Sequence, residues 1–214
     1  MHGRYACAMI GGESNAVLPE QVLLSASLAH LTRCRMRHWG IHGVAHWWRV
    51  RHNGLLLASA TGADETVVRL FALFHDSHRH DDHADPMHGP RAAQWLARLR
   101  DGMPAADGLD CPTTAAAVRA LSDERFARLR LACELHTGTP HHDDPTIAAC
   151  FAADRLDLWR VGLRPNPKYI PIARDILTDE FIAEAMRRTD EGLRWTDAAE
   201  FAGTWGVAIP ERHR

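Results

Sequence analysis

Several histidines and aspartates of this chain fall on helical faces that otherwise carry apolar residues. The pair His75-Asp76 ends a segment that is apolar nearly all round, at residues 67–74. Asp154 follows Ile147 and Phe151 at helical spacing, so its carboxylate falls within a predicted buried stripe. A buried carboxylate without a partner is very costly. These positions therefore predict that cations or hydrogen-bond donors lie nearby.

Three further histidines belong to the same pattern. His136 continues the apolar row of its predicted helix, and His88 precedes the row that includes Trp95. His46 shares a polar helix face with His42 and Arg49. A lone inward-facing histidine is usually a hydrogen-bonded core residue, but the joint pattern indicates that four or five helices aim nitrogen and oxygen ligands at one place.

The donor types limit the metals that such a site would take. Neutral imidazoles and carboxylates without thiolates suit Mn²⁺, Fe²⁺, Co²⁺, Ni²⁺, Zn²⁺ or a partly hydrated Mg²⁺. A carboxylate shared between two ions is the usual way to hold a pair, so either one or two ions are expected. The five cysteines are scattered without a C-x-x-C pair, which argues against a disulfide framework and a thiolate zinc site.

Composition narrows the partners and the location. A formal net charge of -2 gives no electrostatic signature of nonspecific nucleic-acid binding. No segment approaches the roughly 20 apolar residues of a membrane span, and the N-terminus lacks a signal-peptide core. With an odd number of cysteines, read as reduced thiols, we expect a cytoplasmic protein that does not contact membranes.

Helical periodicity recurs throughout the 214 residues, which predicts an all-α, single-domain helical bundle. The polar stretches 77–86 and 101–112 and the Pro-rich stretch 164–169 are predicted loops, and a tail contains Trp195 and Trp205. The predicted helices are 19–36, 41–60, one that begins at Asp64 and ends near His75, 87–100, 113–121, 122–136, 146–161, 170–176 and 178–188.

The order His46, then His75-Asp76, then Asp154 resembles the H…HD…D signature of the HD superfamily of metal-dependent phosphohydrolases. The resemblance covers roughly residues 39–161, with C-terminal helices at about 170–205 expected to pack on this core. The sequences H-W-W-R-V from His46, F-H-D-S-H-R around His75 and A-A-D-R-L-D-L around Asp154 carry it. The family has an all-α fold, and its members hydrolyse phosphate esters of nucleotides and other small molecules.

The resemblance implies roles for individual residues. His46, His75, Asp76 and Asp154 would ligate one metal, and His88 and His136 would complete a binuclear site bridged by Asp76. Asp76 and Arg79 would take part in catalysis, with Arg79 contacting phosphate. Arg49 and Lys168 are further candidates for binding a phosphate ester, which is expected to be a nucleotide or another small molecule. No G-Y-P follows His136, so a cyclic dinucleotide substrate is not indicated.

Two alternatives keep the same fold. A few six-ligand relatives are di-iron oxygenases, and a non-catalytic module would use the pocket only to sense a nucleotide. The sequence leaves open whether His42 is a ligand and whether Asp157 orients one or pairs with Arg49 or Arg160. His78, His80, His83, His141 and His142 are interpreted as loop residues.

Overall fold

The computed structural model describes residues 40–103 and 112–192, which contain helices and no strand. The all-α prediction is confirmed for this part of the chain. The predicted helix at 19–36 and the tail with Trp195 and Trp205 lie outside it. The described helices are α1 (Val44–Thr61), α2 (Glu65–Phe74), α3 (His88–Arg100), α4 (Pro112–Ala120), α5 (Asp123–Leu135), α6 (Pro145–Arg155) and α7 (Asp179–Glu191), with short 3₁₀ turns at Leu158–Val161 and Pro167–Tyr169.

Polar side chains fix where the helices of the candidate site begin. Asp64 before α2 and Asp144 before α6 each accept hydrogen bonds from two backbone N–H groups of the following turn. Ser122 accepts one from the backbone of Arg125 at the start of α5. These caps satisfy N–H groups that have no partner within the helix. The starts of three helices that carry candidate ligands are therefore set locally by the sequence.

Close helix packing brings the candidate residues toward one another. Helix α1 packs against α2 and α6, α3 packs against α5, and α2 also contacts α5. Gly54 allows the first of these contacts, because a Cβ there would lie 2.5 Å from Val68 Cγ1. Trp47, Phe71 and Phe151 are fully buried between the helices. Helix α2 is consequently central, and its C-terminal end faces residues from several neighbours.

Two predicted helices differ from the observed structure. The predicted helix 146–161 ends at Arg155, and the chain turns before the 3₁₀ segment Leu158–Val161. The turn lets the buried Asp157 side chain reach α1, as described below. The predicted helix 170–176 is absent, and the chain forms an isolated turn there, in which the Ala173 carbonyl accepts from the backbone N–H groups of Ile176 and Leu177. A segment this short gains too few hydrogen bonds to offset the free energy of helix nucleation.

Two further observations concern the part of the chain that the structure describes. None of its helices combines the length and apolar character needed to cross a bilayer. Cys133 and Cys150 are buried free thiols, and the other three cysteines lie outside the described residues. No disulfide therefore joins the cysteines that are described.

Candidate metal centre

His75 and Asp76 lie at the C-terminal end of α2, where the sequence placed them, and both are buried. His75 Nδ1 lies 3.0 Å from the carbonyl oxygen of Phe71. A carbonyl oxygen only accepts hydrogen bonds, so we assign the ring proton to Nδ1. The Nε2 atom of His75 is then left with a lone pair that faces the neighbouring helices.

His46 of α1 and Asp154 of α6 meet this nitrogen. His46 Nε2 lies 3.0 Å from His75 Nε2, and Asp154 Oδ1 lies 3.4 Å from His46 Nε2 and 3.9 Å from His75 Nε2. We call His46, His75 and Asp154 the outer group. The side chains of the two histidines are 0% exposed, whereas that of Asp154 is 18% exposed. Solvent therefore reaches the outer group at Asp154.

A second group, which we call the inner group, consists of Asp76, His88 and His136. His88 is the first residue of α3 and His136 caps the end of α5. Their Nε2 atoms are 2.8 Å apart. Gly89 allows this approach, because a Cβ there would lie 2.4 Å from the Cys133 carbonyl oxygen. All three residues of the inner group are buried.

Asp76 lies between the two groups and offers one oxygen to each. Its Oδ2 is 3.5 Å from His46 Nε2 and 3.6 Å from His75 Nε2. Its Oδ1 is 2.9 Å from His88 Nε2 and 3.9 Å from His136 Nε2. This is the arrangement that a carboxylate needs to bridge two cations.

The ring nitrogens test whether a cation fits. His46 Nδ1 lies 2.7 Å from a carboxylate oxygen of Asp157, and His136 Nδ1 lies 2.8 Å from the Cys133 carbonyl oxygen. His88 Nδ1 lies 2.5 Å from the Asp85 carbonyl oxygen. Each Nδ1 therefore carries the proton, and the Nε2 lone pairs face each other within both groups. Opposed lone pairs repel, whereas ligands of one ion with bonds of about 2.0–2.1 Å lie about 3 Å apart. The Nε2 separations of 3.0 and 2.8 Å therefore fit a cation between each pair of rings.

Protonation states agree with this geometry. Burial lowers the pKa of His75 to about 3 and also lowers the pKa of His136, so both imidazoles are neutral at pH 7. Burial alone would raise the pKa of Asp76, but the surrounding histidines, with His42 in direct hydrogen bond, outweigh it and hold that pKa well below its ordinary value. Asp154 behaves alike, with Arg160 as the largest opposing influence on its pKa. Neutral imidazoles beside carboxylates are the forms that bind metal.

Asp157 holds the far side of His46. Its carboxylate also accepts two hydrogen bonds from Arg49, at 2.6 and 3.0 Å, and one from the Thr189 hydroxyl at 3.0 Å. His46 and Asp157 are both fully buried. A carboxylate in this position fixes the ring orientation of a metal-binding histidine and raises its basicity. The sequence had left open whether Asp157 orients a ligand or pairs with Arg49 or Arg160, and the structure shows it bonded to both His46 and Arg49.

The outer and inner groups together form what we call the cluster. His42 contacts this cluster from the turn that precedes α1. His42, His46 and Asp76 lie close enough together to form a third donor group, but His42 Nδ1 lies 2.9 Å from Asp76 Oδ2 and donates its proton there, so this nitrogen has no lone pair for an ion. The role of His42 stayed open at the level of sequence, because its position at the start of a predicted helix does not fix where the ring points. Asp76 thus has ring nitrogens from His42, His46 and His75 near one oxygen.

The predicted substrate-binding residues lie in different surroundings. Arg79 is buried beside the inner group, and its guanidinium donates to the carbonyl oxygens of Asp81 and His83. Arg49 is bound to Asp157. Lys168 is exposed and lies over the ring of Tyr169, with no described contact to the cluster. Arg79 and Arg49 therefore support the cluster in this structure, and the geometry gives Lys168 no part in it.

The loop histidines lie where the sequence placed them. Residues 77–86 form no helix, and His80 and His83 are exposed. His78, His141 and His142 are likewise absent from the donor groups found among the described residues. Arg160, in contrast, contacts the cluster, although the sequence had offered it only as a partner for Asp157. A helix assumed to continue to residue 161 gave no indication that Arg160 turns toward α1.

Comparisons with known proteins identify no family for this chain. No family model, no curated protein and no solved structure matches the chain. The HD-superfamily resemblance therefore stays a prediction that rests on the motif residues. The described residues do show that buried histidines and aspartates from separate helices form groups that could hold metal ions.

Proposed function

We propose that this chain is a metal-dependent phosphohydrolase that acts on a small phosphate ester, with a nucleotide as the expected substrate. The proposal depends mainly on one observation: the two oxygens of Asp76 face separate pairs of imidazole Nε2 atoms. Two cations held by His46, His75 and Asp154 on one side and His88 and His136 on the other would share this carboxylate. The motif order His46, His75-Asp76, Asp154 supports the same proposal.

Metal ions bound here would lower the pKa of a bound water toward about 7 and offset the charge on phosphoryl oxygens. The protein's own part is to orient the ligands and to admit the substrate. Asp157 holds the His46 ring, while backbone carbonyls hold His75, His88 and His136. The partly exposed Asp154 marks the side from which water and the ester would enter.

The test combines metal analysis with a substrate screen. We expect purified protein loaded separately with Mn²⁺, Co²⁺, Ni²⁺ or Mg²⁺ to release phosphate or cleave a diester from a panel of nucleotides and simple phosphate esters. Asp76→Ala should lose both the bound metal and the activity. Asp76→Asn keeps the shape of the side chain and removes its charge, so it separates ligand loss from a packing defect.

Asp175→Ala serves as the control, because Asp175 is an exposed carboxylate. It should keep the metal content and the activity of the unaltered protein. Metal bound at unaltered stoichiometry by Asp76→Ala would contradict the ligand assignment. Hydrolysis of no phosphate ester by metal-loaded protein would contradict the reaction class.

A di-iron oxygenase is the second candidate, and the completeness of the donor set favours it. Four imidazoles and two carboxylates, with no thiolate, suit iron as well as redox-silent metals. Iron content after aerobic and anaerobic preparation, with oxygen uptake on candidate substrates, distinguishes the two. Phosphoester hydrolysis with a redox-silent ion supports the first candidate, and oxygen consumption coupled to substrate loss supports the second.

A further inference from the structure

Among the described residues, three arginines form ion pairs with the carboxylates of Asp76, Asp154 or Asp157, and they differ in how their N–H groups are used. Arg49 gives two N–H groups to the carboxylate of Asp157. Arg79 donates to two backbone carbonyls, and its Nη1 lies in the inner group, 3.5 Å from Asp76 Oδ1 and 3.1 Å from His88 Nδ1. Arg160 is different, because one end of its guanidinium faces the outer group without a good acceptor.

Two backbone carbonyls hold the other end of Arg160. Its Nε donates to Ile41 and its Nη1 to Asp157, both at 3.1 Å. These bonds fix the guanidinium plane and direct Nη2 toward His42 and Asp154. The 3₁₀ turn after α6 makes this possible, since it bends Arg160 back toward the turn that precedes α1.

Neither neighbour of Nη2 satisfies it. Asp154 Oδ1 is 3.9 Å away, which is too long for a hydrogen bond. His42 Nδ1 is 3.4 Å away, but the same nitrogen lies 2.9 Å from the charged Asp76 carboxylate. His42 therefore keeps its Nδ1 proton for Asp76 and cannot accept from Arg160. A positive N–H donor is thus held ready for an oxyanion.

The position of Arg160 suits such a ligand. It lies beside Asp154, the most exposed residue of the two donor groups, while its own side chain is only 8% exposed. An anion that reached the outer group past Asp154 would meet Nη2 in a largely desolvated place, where charge-assisted hydrogen bonds are strong. Arg49 and Arg79 offer no comparable donor on this side.

We propose that Arg160 is the residue that binds the substrate's phosphoryl oxygen at the outer group, in place of Arg79 or Lys168. This inference rests on the proposed function, because it assumes a phosphate ester as substrate. It assigns to Arg160 a role in binding and charge stabilisation, and it assigns Arg79 to holding the loop 80–85 next to the inner group.

The test measures the binding of inorganic phosphate, the reaction product, to metal-loaded protein by isothermal titration calorimetry. Arg160→Ala should bind phosphate about 10- to 100-fold more weakly, as expected for loss of a hydrogen bond to a charged group. Arg160→Lys keeps the charge but not the forked geometry, so its loss should be smaller. Both variants should keep the metal stoichiometry of the unaltered protein.

Arg130→Ala is the matched control, because Arg130 pairs with Glu134 one turn away on α5 and is partly exposed. It should leave the phosphate affinity unchanged. Unchanged affinity in Arg160→Ala or Arg160→Lys, or loss of metal from Arg160→Lys, would overturn the assignment. If the metal-loaded unaltered protein hydrolysed esters while both variants kept its KM, only the role assigned to Arg160 would be refuted. Hydrolysis of no ester by the unaltered protein would instead refute the proposed function.

Discussion

The outer and inner groups use the same ligand types but are held in different ways. In the outer group, His46 is held by the Asp157 carboxylate, and Asp154 is partly exposed. In the inner group, His88 and His136 are held by backbone carbonyls, and every member is buried. The difference teaches that one half of the cluster is open to solvent, while the other half is closed within the bundle.

Removal of one ligand from each group should have the largest effect and should distinguish the roles of the two groups. His75→Ala should lose the outer ion and all activity above background, since the substrate would bind at that ion. His136→Ala should lose only the inner ion and keep part of the activity. Metal content per chain and initial rates under saturating Mn²⁺ check both. Equal loss of activity in the two variants would contradict the division of roles.

Acid should destabilise both halves of the metal-free protein. The pKa of His75 is lowered from its ordinary 6.5 to about 3, so the unfolded chain binds protons that the folded one refuses between these values. The free energy of unfolding should therefore fall with pH from 6.5 toward 3, by about 1.4 kcal/mol for each pKa unit per group. The lowered pKa values of Asp76 and Asp154 act in the same direction below pH 4.

Urea unfolding of metal-free protein at pH 7, 5.5 and 4 measures this dependence. His80→Ala is a suitable control, because His80 is exposed and should leave the slope unchanged. A free energy of unfolding that stayed constant from pH 7 to pH 4 would contradict the neutral, buried state assigned to the imidazoles.

Gly89→Ala should damage the inner group selectively. The new Cβ would lie 2.4 Å from the Cys133 carbonyl oxygen and 3.1 Å from the His136 ring, which forces α3 and α5 apart. Such overpacking costs about 1–3 kcal/mol. Gly138→Ala is the matched control, since a Cβ there meets nothing within 4 Å. Thermal unfolding and metal titration should show a lower Tm and a weakened inner ion in the first variant only.

Asp157→Asn should weaken the binding of the outer ion, and this is the smallest of the expected effects. The amide keeps the size of the side chain but removes the charge that orients His46, and such changes reduce metal affinity about 10- to 100-fold. The inner ion should be unaffected. Competition with a fluorescent chelator measures both affinities, and equal weakening of the two ions would show that Asp157 does not act through His46.

The sequence predicted the cluster's members better than their surroundings. The six residues proposed as ligands lie together because the helical period places them on inward faces and the caps at Asp64, Ser122 and Asp144 set the helix starts. Whether they bind metal stays a prediction. The end of α6 at Arg155 carries no glycine or proline signal, so the turn that brings Asp157 and Arg160 to the cluster was missed.

The surroundings of the predicted substrate-binding cations were missed for a related reason. Arg79 and Lys168 were chosen for their distance along the chain from the motifs, but contacts between separate segments decide where a long side chain ends. Arg79 reaches the carbonyl oxygens of its own loop, and Lys168 remains on the surface. Such contacts depend on loop geometry that periodicity does not encode.

Anomalous diffraction from crystals grown with Mn²⁺ tests the central claim most directly. The geometry predicts two peaks per chain, one among His46, His75 and Asp154 and one between His88 and His136, each next to a different oxygen of Asp76. The absence of a peak between the opposed Nε2 atoms in fully loaded crystals, or peaks only at exposed carboxylates, would contradict the account.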